Sequence, residues 1–144
     1  MTIKQALKLK NSLVKQTKEE MAKLHSYNSI EESNNRPYSA KETLDKINQL
    51  TKELIDLKTS IHTANLPVYA DIFEMSELKN LVVNLRSLDC SEGKTYDRYG
   101  RNSEPVVKTA EISIVERDEQ VKLLEERIEK IQEKLDQHNS TTHI

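Results

Sequence analysis

The segment "TYDRYGRN", residues 95–102, holds the densest set of chemically capable side chains in the chain. The sequence has five Tyr, one Phe and no Trp, yet two Tyr and two Arg interleave here. Arg98 and Arg101 offer forked donors that match phosphate or carboxylate oxygens. Tyr96 and Tyr99 offer flat faces for a ring and hydroxyls for hydrogen bonds. Asn102 closes the segment and belongs to the same candidate site. Gly93 and Gly100 are the only glycines, and each allows a sharp turn or a close backbone approach. Aromatic rings alternating with Arg are what a nucleotide-like ligand asks for. A structural reading stands beside this one: the Tyr rings cap the end of a helical bundle, and Arg98 pairs with Asp97, Glu92 or Glu104.

Other chemistry is sparse. The four His, at 25, 62, 138 and 143, have no second His or Cys at metal-ligand spacing. Neither the zinc-protease pattern HExxH nor the nucleotide-binding patterns GxxxxGK[ST] and GxGxxG occur, and the hydrolase elbow GxSxG is also missing. The abundant carboxylates follow helical faces and form no isolated pair for acid–base work. The expectation is a non-enzymatic protein with no metal and no cofactor. Cys90 is the sole cysteine, which leaves no intrachain disulfide and suits a reducing compartment.

These residues must be positioned by helices. Of 144 residues, 32% are charged and 35% hydrophobic, with two Gly and three Pro. That composition is far from a sandwich or a doubly wound sheet and matches long helices. The net charge of −2 argues against general nucleic-acid binding. The charge is uneven, however. Residues 1–24 carry six Lys against Glu19 and Glu20, a balance of +4. Residues 111–136 carry nine acids against five bases, a balance of −4. The start "MTIKQALKLKNSL" has no uncharged apolar core, and no run approaches a membrane span. The sequence therefore reads as cytoplasmic, without a membrane partner.

Capping boxes place the helices. Thr2 with Gln5, Ser39 with Glu42 and Ser113 with Glu116 each open one. The reading is an all-α, single-domain chain: a four-helix antiparallel bundle with helices at about 2–27, 39–64, 68–89 and 113–138. Residues 91–112 form the exception, a loop whose "EPVVKTAEIS" is a short strand, a hairpin arm or an extended connector. The third helix has apolar residues on more than one face, which predicts the most buried helix of the set. The last helix carries an unbroken heptad, with Arg117 its one polar member. Val121, Leu124, Ile128, Ile131 and Leu135 form the expected oligomer seam. A thin core and this seam predict self-association into a homo-oligomer. A self-contained bundle that buries the seam internally is the competing account.

The chain resembles the septicolysin-like family of small bacterial helical proteins. The likeness runs over nearly the whole length, as an order of elements. Its specific parts are "RYGR", residues 98–101, and "IHTAN", residues 61–65. The opening "IKQALKLKNSL" and a last helix ending near Asn139 accompany them. The resemblance implies a helical oligomer without established catalysis. A looser analogy of architecture is to viral sponge proteins that bind nucleotide immune signals. The expected function is thus an oligomeric helical protein that sequesters a small anionic nucleotide-like ligand through its Tyr/Arg loop. The alternative is a structural or protein-interaction module without a ligand.

Overall fold

The computed structural model describes residues 1–96 and 104–144. The chain is mostly helical, with one short two-stranded sheet. Helix α1 covers Ile3–Tyr27, α2 Ala40–Asn65, α3 Tyr69–Arg86 and α4 Ile114–Thr141. A single 3-10 turn, Leu66–Val68, joins α2 to α3 without a break, so helix fills the described chain in three uninterrupted runs. Pro67 sits inside that turn, as expected of a residue that cannot continue an α-helical hydrogen-bond ladder.

The helix starts follow the caps read from the sequence. At α1 the box is complete: Gln5 N–H donates to Thr2 Oγ1 at 3.3 Å, and Thr2 N–H donates to Gln5 Oε1 at 2.9 Å. At α2 and α4 the hydroxyl half forms. Ser39 accepts from Glu42 N–H at 3.3 Å, and Ser113 accepts from Glu116 N–H at 3.1 Å. The ends differ from expectation: α3 stops at Arg86 and α4 continues to Thr141.

The chain divides into two compact units: Met1–Val68 with Asp136–Ile144, and Tyr69–Leu135. In the first, α1 and α2 form a helical hairpin. Ile3, Ala6 and Leu13 of α1 are buried, as are Ile47, Leu50 and Ile61 of α2. Their mixed three-and-four spacing puts each set on one face. Backbone bonds close this unit: Ile3 N–H donates to Thr142 O at 3.0 Å, and Ile144 N–H donates to Met1 O at 2.9 Å.

In the second unit α3 and α4 run antiparallel, because successive contacts pair rising with falling numbers. Lys134 meets Asp71 at 2.7 Å, and Arg127 clasps Glu74 through two bonds at 2.8 and 3.0 Å. Arg86 also pairs with Glu125. The apolar part is small: Val82 is the only buried residue of α3. This corrects the expectation that the third helix is the most buried. Other apolar side chains of α3 stay open, with Phe73 and Val83 63% and 66% exposed.

The heptad of α4 is also not left open. Val121, Ile131 and Leu135 are buried, while Leu124 and Ile128 are half-buried. Arg117, the polar heptad member, turns its guanidinium to Asp118 at 2.9 Å and to the Arg86 and Leu88 carbonyls at 3.5 Å each. It thereby meets carbonyls at the end of α3 that the helix cannot satisfy itself.

Candidate ligand-binding site

The expected loop is framed by a hairpin. Strand β1, Gly93–Thr95, pairs antiparallel with β2, Val106–Lys108, in the register Gly93↔Lys108, Lys94↔Val107, Thr95↔Val106. Of the readings left open for this region, the hairpin is the one formed. Gly93 has φ 116°, a conformation L side chains rarely adopt, which accounts for glycine at this position. Asp89 anchors the base. It accepts from Ser91 N–H at 2.9 Å and pairs with Lys108 at 3.5 Å. The Ser91 bonds, and then Lys108, hold its carboxyl below the usual carboxylate range. All six strand residues are exposed. Tyr96 is 70% exposed. Arg98, Tyr99, Arg101 and Asn102 lie outside the described residues.

A second constellation stands where α1 hands over to α2, and the sequence reading passed over it. Asn28, Arg36, Tyr38, Ser39, Ala40 and Lys41 line an open hollow of about 500 Å³. Arg36 is fixed by donating to the Asn28 carbonyl at 2.9 Å. Ser39 takes the amide of Glu42 through its hydroxyl and that of Thr43 through its carbonyl. Ala40 and Lys41 N–H belong to the helix's first turn and lack an intrahelical acceptor. They sit at the positive end of the helix dipole, beside two cationic side chains.

The Tyr38 ring is held from two sides. The Lys23 ammonium lies 4.9 Å from its centroid, and the Tyr27 ring is 5.5 Å away. Both contacts are within the range of attractive ring interactions. Lys23 is in turn fixed by Glu20, 3.2 Å away, which also accepts from Lys46 at 2.7 Å. Glu20 is only 7% exposed, an unusual burial for a carboxylate, and two ammoniums compensate it. Lys46 above all, then Lys23, holds its carboxyl below the usual range against the opposing effect of burial. A chain of contacts thus runs from a buried charge in the α1–α2 interface to a ring lining the hollow. A signal did exist in the sequence: "NNRPYSAK", residues 34–41, puts Arg and Tyr around a proline directly before a helix cap.

The motif "IHTAN" closes α2. Ile61 is buried, and Thr63 donates to the Thr59 carbonyl at 3.0 Å. Ala64 O lies 3.1 Å from His138 Nε2. Asn65 Oδ1 is buried and has no partner among the described residues. No group of three metal-ligating side chains comes together among those residues. No described helix is long and apolar enough to cross a membrane. No family model, curated protein or solved structure matches the chain, so the likeness to the septicolysin-like proteins rests on its motifs alone.

Proposed function

We propose that this chain is a non-enzymatic, self-associating helical protein that captures a small anionic ligand carrying a ring, of nucleotide type. The observation that supports it most is the hollow before α2. It gathers Arg36, Lys41, the first turn of α2 and a Tyr38 ring held by Lys23. Arg and amide donors suit phosphate oxygens, and the Tyr face suits a base. A volume of about 500 Å³ is ample for a nucleotide. The Tyr/Arg segment, with Arg98, Tyr99, Arg101 and Asn102, falls between β1 and β2 in the sequence, offers the same chemistry and belongs to the same proposal. So does the expected four-helix bundle. Mass spectrometry of small molecules released by heating the purified protein tests the reading. A phosphate-bearing, ring-containing compound at near-stoichiometric amount supports it. Without such a compound, and with no thermal shift from a nucleotide, cyclic-nucleotide or ADP-ribose panel, the reading fails.

The interaction-module reading is favoured by a different observation. The described core is thin, and the outer face of α1 is lined by exposed Lys.

A further inference from the structure

Helix α1 turns one charge outward. Its buried side chains, Ile3, Ala6, Leu13 and Glu20, mark the inner face. At 100° per residue, Lys4, Lys8, Lys15 and Lys18 fall within about 80° of one another on the opposite face. All four are exposed. Lys15 pairs with Glu19 at 3.9 Å, while Lys4, Lys8 and Lys18 meet no acid among the described residues. Helix α4 carries the complement. Glu119, Glu126, Glu129 and Glu133 lie within about 80° of one another on the face opposite the buried seam, and all are exposed. They too meet no base among the described residues. Each stripe is about 21 Å long at 1.5 Å per residue.

The two stripes also match in register. Laid antiparallel, Lys18 falls opposite Glu119, Lys8 opposite Glu129 and Lys4 opposite Glu133. The parallel alignment brings only the two ends into match. Two positions do not match: Lys122, which lies within the acidic stripe, falls opposite Lys15, and Glu126 falls opposite Asn11.

We infer that the lysine face of α1 docks antiparallel on the glutamate face of α4 in a second copy of this chain. The partner is a second copy because the matching stripe is on this chain, in matching spacing. This rests on the self-association reading and names its surface. The contact is made of exposed charges, so it weakens with salt. It also contributes more to choice of partner and orientation than to raw affinity.

Analytical ultracentrifugation of the full chain at 50 and 500 mM salt tests it. The expected result is association at low salt that weakens at least tenfold at high salt. Exchanging charges in K4E/K8E/K18E should abolish association, as should E119K/E129K/E133K, with helicity unchanged by circular dichroism. An equimolar mixture of the two variants should associate again, and K122E alone should tighten association several-fold. A wild type monomeric under both conditions overturns self-association and the surface together. A wild type that associates while the charge variants associate equally overturns this surface only. Association lost in both variants but not regained on mixing overturns the pairing. Binding of the wild type, but not K4E/K8E/K18E, to DNA or anionic vesicles without self-association assigns the lysine face to another partner and overturns it as well.

Discussion

Glu20 shows how one side chain links the core to the candidate site. It is buried among α1–α2 contacts and held ionised by Lys46 and Lys23. A carboxyl with a depressed folded-state pKa stabilises the fold above its unfolded pKa, about 4.3 for Glu. That contribution is lost as pH falls through the depressed value. Glu20→Gln should therefore lower the melting temperature at pH 7, and the gap to wild type should close as pH drops below about 4. A gap that is constant from pH 7 to pH 3 would show that packing, not charge, sets the effect. The sequence did not announce this residue: Glu20 follows Glu19 in a run of charged positions, and nothing local marks one as buried and the other as solvated. Only the long-range partner Lys46, on another helix, separates them.

At the scale of elements, short-range physics was legible and long-range physics was not. Thr2, Ser39 and Ser113 all cap helices, because a cap is decided within four residues. Ser113→Ala should cost about 1 kcal/mol in chemical denaturation, typical of a lost cap. The heptad of α4 identified its inner face but not what covers that face. Residues 121–135 were read as a seam for a partner; Val121, Ile131 and Leu135 are buried within one chain, with Leu124 and Ile128 half-buried. Ile131, 2% exposed, should cost about 2–5 kcal/mol as Ile131→Ala. Leu123, on the outer side at 61% exposure, should change stability by no more than about 0.5 kcal/mol as Leu123→Ala. Equal costs at the two positions would mean that α4 is rotated from this arrangement. The apolar count of α3 misled because hydrophobicity on several faces signals burial only where neighbours exist on those faces. With Val82 as its only buried residue, α3 should exchange its amide hydrogens ahead of α1 and α2. Mass-spectrometric exchange over seconds to hours checks the order.

At the scale of the whole molecule, composition was enough to read a mostly helical chain. It could not divide the chain into units, since the same kinds of helix build both. Nor could it choose between two places with one chemistry: the Tyr/Arg segment at residues 95–102, and the Arg36, Tyr38, Lys41 hollow before α2. The sequence drew attention to the denser cluster. The hollow is distributed over a loop, a helix cap and a cation–ring contact from a distant position, Lys23, which only the fold brings in. The central claim, that an anionic ring-bearing ligand is held at the hollow, is tested most directly by isothermal titration of a nucleotide panel. Wild type, R36A/K41A, Y38A and R98A/R101A would be compared side by side. A charge-assisted hydrogen bond is worth about 1.5–3 kcal/mol, so R36A/K41A should weaken binding at least tenfold. Y38A should cost about 1–3 kcal/mol if a base stacks on its ring. Wild-type affinity in R36A/K41A and Y38A, with binding lost in R98A/R101A, would contradict the hollow and place the ligand at the hairpin.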